Sequence, residues 1–386
     1  MTDQPLVSII TPSYNHAAFL DETIRSVLAQ DYANIEYIVV DGGSTDGSVE
    51  IIQRHAGRIA KWVSEPDEGQ SHAINKGFRM ASGDVVAWLN SDDLYFPDAV
   101  STAVRRFREQ PDLGLFYGHG VFVDRDGAFV RYFTEVEPYD AFRLRNCSDY
   151  IMQPTTFFRR DALFSVGLLD ESLHFTMDWD LWCRFAESGC GVHYEPKLIA
   201  ATRVYPETKT TAGSRARLVE IFRTLRRHAT GWWPHAYFGF RATEVRRLLE
   251  GDDLSLLRRA RLNVRLFFLR LANWRNILYD RRRPNDLYGL RRRTNELMQH
   301  ARLCWPVYGN ARTVTLRLHA RRERKLVAHM TDGDSVEKTL VAGEITDVQV
   351  DLPKTPRPAP VVDLTCIVDA RRRGGTRVAL DRVRLT

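Results

Sequence analysis

Val85-Val86-Ala87-Trp88-Leu89-Asn90-Ser91-Asp92-Asp93-Leu94-Tyr95 decides the fold. Its start is short, apolar and rich in β-branched and aromatic residues, which predicts a buried strand. Two adjacent aspartates follow. They cannot both be buried without partners, because an unpaired carboxylate in an apolar interior is costly or takes up a proton. From these residues alone two readings stay open. A divalent cation would satisfy the oxygens, and Mg2+ or Mn2+ usually shares its coordination sphere with substrate phosphates. An Asp-rich turn capping the next helix would satisfy them as well.

The chain before this strand repeats one unit. Strands are predicted at Leu6–Ile10, Ile35–Val40 and Ile59–Val63, each followed by a polar loop and an amphipathic helix. In the first of these helices Leu20, Ile24, Val27 and Leu28 recur at helical spacing. Strand, loop and helix in succession imply a parallel sheet with helices on both faces. Ligands of such sheets sit beyond the C-terminal strand ends. There lie Thr11–His16, Asp41–Gly47, Glu65–Gln70 and Asn90–Asp93, four loops rich in Asp, Ser, Thr, Asn and Gly. Helix capping explains part of that composition but not Asp41, Asp67, Asp92 and Asp93 together. Asp41-Gly-Gly-Ser-Thr-Asp-Gly47 is neither G-x-G-x-x-G nor a Walker A loop, so a dehydrogenase-type nucleotide site is not expected. A nucleotidyltransferase would need a basic loop early in the chain, and Thr11–His16 has no cluster of basic residues.

After the acidic stretch come a helix from Asp98 to Arg108 and short strands at Leu115–Tyr117, Val121–Val123, Phe129–Phe133 and Thr155–Phe158, so the sheet is expected to become mixed. A second acidic pair, Asp178 and Asp180, flanks Trp179 at a predicted helix start. The exposed N–H groups there account for one acid; the other is a candidate general base.

These 386 residues are 44% hydrophobic, ample for a core, and carry 55 Lys and Arg against 49 Asp and Glu, a net charge of +6. That balance favours anionic partners. The five cysteines are scattered without C-x-x-C spacing, so neither a zinc site nor a disulfide framework is expected, and a reducing cytosol fits. No signal peptide and no apolar run of about 18–20 residues is found, so the expected location is cytoplasmic, with any membrane contact peripheral at the inner face.

Read together, the blocks carry a resemblance. Val7-Ser8-Ile9-Ile10-Thr11-Pro12-Ser13-Tyr14-Asn15, Ser26–Gln30, Ile38–Gly47, Asn75-Lys76-Gly77, Ser82-Gly83-Asp84, Asn90–Asp93 and Met177–Trp182 resemble, in order, the family 2 glycosyltransferases of GT-A fold. The resemblance covers about the first two hundred residues. It implies an inverting transferase that uses a nucleotide-diphospho-sugar (UDP, dTDP or GDP) and Mn2+ or Mg2+, with a glycan or lipid-linked acceptor in cell-surface polysaccharide synthesis. It places Thr11, Pro12 and Tyr14 around the base and Asp41 on it, with Asp67, His72 and Ser91 also on the donor side. Asp92 and Asp93 would carry the metal, Asp178 would be the catalytic base, and Trp179 and Asp180 would lie on the acceptor side. Two departures stand out. The family's acidic motif is often Asp-x-Asp, whereas Asn90 opens it here. The segment Gln70–Asn75 lacks an Arg that many relatives carry, and His72 is the candidate to replace it. A second reading is a non-catalytic glycan-binding protein with a degenerate transferase domain.

Beyond the transferase-like part, expected at 1–210, residues 211–302 read as Arg-rich helices and 303–386 as period-two strands of a small β-sandwich. Basic helices with Trp232, Trp233 and Trp274 suit an anionic membrane surface. The alternative is an ordinary amphipathic bundle that covers the acceptor side or joins subunits into a homo-oligomer. No nucleic-acid module is recognisable, and no nucleic-acid partner is expected.

Overall fold

The computed structural model describes residues 4–208, 215–230, 235–249 and 255–272, then 286–287, 290–291, 300–306, 313–320, 324–330, 335–341, 344–351, 361–368 and 378–385. Trp232, Trp233, Trp274 and the Arg281–Arg283 run lie outside the described residues.

The repeated unit folds as expected. Its elements are β1 (Val7–Ser13), α1 (Ala17–Leu28), β2 (Ile35–Asp41), α2 (Ser48–His55), β3 (Lys61–Ser64), α3 (Gln70–Met80) and β4 (Val85–Trp88). The four strands are parallel in the order β3-β2-β1-β4. Successive residues of a strand face opposite sides. Ile10, Val40 and Trp88 therefore enter one core with Phe78 and Trp182, while Ile9, Val39 and Ala87 enter the other with Leu20 and Phe107.

Beyond β4 the sheet becomes mixed. β5 (Leu94–Tyr95), α4 (Ala99–Glu109), β6 (Leu113–Val123), β7 (Phe129–Tyr132), α5 (Ala141–Asn146), a 3-10 turn (Gln153–Thr155), β8 (Phe157–Arg159), α6 (Arg160–Val166), α7 (Met177–Ser188) and β9 (Gly191–Arg203) follow. β8 lies antiparallel between β4 and β6, β7 is antiparallel to β6, β9 runs parallel along β6, and β5 pairs β9. This is the α/β, mostly parallel sheet with a mixed edge expected of a GT-A domain.

Two of the boundaries that differ from the sequence reading have a clear physical reason. β1 continues through Thr11-Pro12 to Ser13, in register with β2 up to Ser13↔Asp41. Its pairing with β4 stops at Ile10↔Trp88, so Pro12 sits where the β4 side is no longer laddered. The strands expected at Leu115–Tyr117 and Val121–Val123 are one strand, β6. Gly118 and Gly120 suggest a break, but a Cβ at Gly118 would lie 2.5 Å from Ile199 and one at Gly120 2.1 Å from Met152. Both glycines serve close packing inside the strand.

Three helices, α8 (Arg215–His228), α9 (His235–Leu249) and α10 (Leu256–Ala272), form the basic segment. α8 packs on the transferase-like core through Leu218, Ile221 and Leu225. The C-terminal strands form a four-stranded antiparallel sheet (His300–Pro306, Val361–Val368, Arg324–Met330, Ser335–Leu340) and an antiparallel set (Ile345–Asp351, Thr313–Ala320, Val378–Leu385). The second set meets β7 at Val383↔Phe129.

Candidate active site

The acid loop follows β4 and is pinned from four sides. Asn90 is its hub. Gln70 Nε2 donates to Asn90 Oδ1 at 2.8 Å, and Asn90 Nδ2 donates to Asp93 Oδ2 at 3.1 Å and Gln153 Oε1 at 2.8 Å. Gln153 in turn donates to the Trp88 carbonyl at 2.9 Å. An amide is required there: a carboxylate would face Asp93 and the Gln153 oxygen with no proton to offer. Ser91 is buried and shares a 2.7 Å hydrogen bond with His16 Nδ1.

The two aspartates point different ways. Asp92 is half-buried; its Oδ2 accepts from the Tyr205 hydroxyl at 2.8 Å, while Oδ1 accepts no bond among the described residues. Asp93 is 2% exposed, and its oxygens face Asn90 and the Arg203 backbone N–H at 3.3 Å. Burial and the neighbouring Asp92 charge push the Asp93 carboxyl well above the usual range. The structure therefore turns Asp93, expected on a cation beside Asp92, into the interior. Among the described residues no group of three or more His, Cys, Asp or Glu forms a ready-made cage. One open carboxylate oxygen at a strand end nevertheless suits Mg2+ or Mn2+, which takes one or two carboxylates and completes its shell with water and phosphate oxygens.

Arg203 holds this loop from behind. Its buried guanidinium donates to the Asp92 carbonyl at 3.2 Å and the Arg125 carbonyl at 2.7 Å, pairs with Glu22, and lies over the Phe19 ring.

On the nucleotide side, Thr11 and Pro12 are buried, and Thr11 Oγ1 accepts from the Tyr37 hydroxyl at 3.1 Å. Tyr14 is 62% exposed. Asp41 is buried and bonded to its own loop: Oδ2 accepts from the Gly43 and Ser44 N–H groups and Ser64 Oγ, and Oδ1 from Ser44 Oγ. Asp67 Oδ1 accepts from Gly69 N–H at 2.8 Å, whereas a Cβ at Gly42 would lie 2.6 Å from Asp67 Oδ2 and 3.3 Å from Tyr14. Tyr14, Gly42 and Asp67 thus lie against one another at one loop edge, behind which Asp41 organises the loop. His72 Nδ1 accepts from Glu68 N–H at 3.1 Å in the first turn of α3.

The second acidic pair splits by helix geometry. Residues two apart on a helix diverge by about 200°. Asp178 is half-buried at the start of α7, and its Oδ1 accepts from Trp179 N–H at 2.8 Å. Asp180 is fully buried between Arg184 (2.9 Å), Arg227 (2.9 Å) and His228 (2.8 Å). Burial opposes its charge, but His228 and Arg184 outweigh it and hold the carboxyl down at about 2. Trp179 is buried too, donating to the Leu144 carbonyl at 2.8 Å. Trp179 and Asp180, expected on the acceptor side, are instead built into the contact between α7 and its neighbours. Asp180→Asn is expected to cost about 3 kcal/mol, because it removes the carboxylate that pairs the part-buried Arg184 and bonds the buried His228. Urea unfolding would measure this. In the wild type the carboxyl is depressed below its unfolded value, so its stabilisation is present above about pH 4 and is lost as pH falls towards 2.

Sequence reasoning missed Asp149. Its Oδ1 is buried without a hydrogen-bond partner, and burial together with the Asp178 charge pushes its carboxyl well above the usual range. It missed Tyr205, Arg203, Gln153 and His16 as well. Tyr205 lies 113 residues from Asp92, and no local pattern announces such a pairing.

The two acidic regions are brought together by adjacent residues of α3. Gln70 reaches Asn90, and Ser71 Oγ donates to Met177 Sδ at 2.8 Å, next to Asp178. The Asp149–Gln153 segment makes a second bridge, with Gln153 on Asn90 and Asp149 in the field of Asp178.

Residues 8–166 match the family described as glycosyl transferase family 2. An uncharacterized glycosyltransferase of Rickettsia typhi is 30% identical over 225 residues, 55% of this chain and 68% of that one. One of Mycobacterium tuberculosis is 30% identical over 217 residues, 52% of this chain and 82% of that one. A longer relative from Rickettsia felis, 29% identical, is covered over 35% of its length. Among solved structures, S. aureus TarS 1-349 in complex with UDP-GlcNAc is similar with a TM-score of 0.47 at 17% identity, covering 70% of this chain and 73% of that one. Mannosyltransferase PcManGT from Pyrobaculum calidifontis, in complex with GDP-Man and Mn2+, is similar with a TM-score of 0.45 at 20% identity, covering 72% of this chain and 74% of that one.

Proposed function

Because the chain belongs to glycosyl transferase family 2, we propose that it is a cytoplasmic, metal-dependent, inverting transferase. It moves a sugar from a nucleotide diphosphate to a hydroxyl of a glycan or lipid-linked acceptor in cell-surface polysaccharide synthesis. The observation that carries the reading is the pair Gln70 and Ser71, which sets the acid loop and the start of α7 against each other across one helical turn. A single displacement needs those two sides: one to receive the leaving diphosphate and one to take the acceptor proton.

On the donor side the base lies against Tyr14 and Gly42. Asp67 Oδ2 accepts no protein bond among the described residues and suits a ring N–H, which uracil, thymine and guanine carry. Asp41, Thr11 and Pro12 shape that edge from behind. Asp92 Oδ1 would hold Mn2+ or Mg2+, whose chemistry when bound is to stabilise charge on the leaving diphosphate as a Lewis acid. Ser91, fixed by His16, and His72 line the phosphate side. Across the gap Asp178 takes the proton of the attacking hydroxyl. Burial and the Asp178 charge beside it push the Asp149 carboxyl well above the usual range.

The test is a donor panel: binding and slow hydrolysis of UDP-, dTDP- and GDP-sugars with and without Mn2+. Metal-stimulated binding and hydrolysis of one of them is expected. If no donor binds under any condition, the chain is a glycan-binding protein on a transferase scaffold. We assign the transferase domain to 1–210, the Arg-rich helical segment to 211–302 and a β-sandwich accessory domain to 303–386. A chain ending at residue 302 keeps α8 on the core and is expected to keep donor hydrolysis within about twofold, because among the described residues the C-terminal strands pair with the transferase-like sheet only at Val383↔Phe129. Loss of hydrolysis in that truncation would place part of the site in the C-terminal strands.

A further inference from the structure

α10 has two faces. On one, Leu262, Leu266 and Leu269 pack against Ala242, Val245 and Leu249 of α9. On the other, Leu257, Val264, Phe267, Phe268 and Leu271 are exposed, Phe267 by 63% and Phe268 by 61%. At about 100° per residue, Leu257, Val264, Phe268 and Leu271 fall within an arc of about 60°, with Phe267 at its edge. Arg258, Arg261 and Arg265 line one border of the stripe, and Arg259 and Arg270 lie beyond the other; all five are exposed. The helix contains no Asp or Glu.

We propose that this outer face of α10 docks on an anionic lipid bilayer, with the apolar stripe entering the acyl boundary and the arginines meeting lipid phosphates. An apolar stripe bordered by long cationic side chains is the arrangement that lies in a membrane interface: the stems run along apolar surface and the heads reach the headgroups. Among the described residues no helix, α10 included, is long and apolar enough to span a membrane. Charge decides against the other occupants. A second copy would set five arginines against five. The chain that follows, from Arg275 through Arg281-Arg282-Arg283 to Arg291-Arg292-Arg293, is itself strongly basic, so folding it back would gather like charge on the stripe. The contact goes beyond the transfer chemistry and does not depend on it.

The experiment is co-sedimentation of the full chain with vesicles of phosphatidylcholine alone and of phosphatidylcholine with phosphatidylglycerol, at low and raised salt. Binding to the anionic vesicles only, weakened by salt, is expected. Phe267→Ser/Phe268→Ser should weaken it by about tenfold or more, and Arg258→Gln/Arg261→Gln/Arg265→Gln by a similar factor. Both sets of residues are exposed, so unchanged circular dichroism and melting, together with unchanged donor hydrolysis, separate a docking defect from misfolding or loss of the transfer site. Absence of sedimentation with anionic vesicles, or sedimentation that neither variant weakens, would overturn the proposal. So would a concentration-dependent dimer in ultracentrifugation that the phenylalanine variant dissolves, because the stripe would then belong to a second copy.

Discussion

Asp178→Asn is expected to lower transfer by roughly 10²–10⁴-fold, the usual contribution of a positioned general base, while donor affinity stays within about twofold. The side chain is close to isosteric, and the amide keeps an oxygen to accept from the Trp179 N–H. Calorimetric donor binding and initial-rate transfer on the same preparation separate the two effects. An unchanged rate would remove Asp178 from proton transfer and leave its place to a group outside the pair. Asp149→Asn is the informative companion. Its carboxyl is pushed well above the usual range, so the amide alters the charge here less than at an ordinary aspartate, and this variant is expected to retain more activity than Asp178→Asn. If instead the two variants were equally inactive, Asp149 would have to act as an anion.

The second large effect is expected from Asp92→Ala. It should abolish the Mn2+-dependent part of donor binding, because Asp92 Oδ1 is the open carboxylate oxygen on the acid loop while Asp93 faces inward. Titration of donor with and without metal reads this directly. Tight metal-independent binding in the variant would show that cations inside the protein, rather than a bound metal, receive the diphosphate. Asp93 cannot substitute without being pulled from Asn90 and the Arg203 backbone, so partial rescue by excess Mn2+ is not expected.

What could be read beforehand follows the range of the interactions. The alternating strands, the helical spacing of Leu20, Ile24 and Val27, and the acids at the start of α7 are local patterns, and each led to the right element. The different fates of Asp178 and Asp180 were not legible. Both suit a helix start, and only Arg227 and His228, arriving on α8, make Asp180 a buried structural anion. Asn90 looked like a weakened metal ligand because its partners Gln70 and Gln153 stand 20 and 63 residues away. In the folded chain it is the neutral connector that two glutamines and an inward-turned aspartate require. The two strands expected at Leu115–Tyr117 and Val121–Val123 are one for a related reason: the volume that Gly118 and Gly120 leave open is taken up by Ile199 and Met152, which come from elsewhere in the chain.

The α3 bridge has a consequence for orientation. Gln70 and Ser71 leave their helix about 100° apart, one held by the acid loop and the other by the start of α7. The interval between the two sides is therefore gauged by a single helical turn, closed by bonds such as Ala73 N–H to the Gly69 carbonyl at 3.1 Å. With both side-chain bonds made, it widens only by fraying that turn. In the proposed reaction, the orientational entropy of facing donor against base would be met once, during folding, and not again at each turnover.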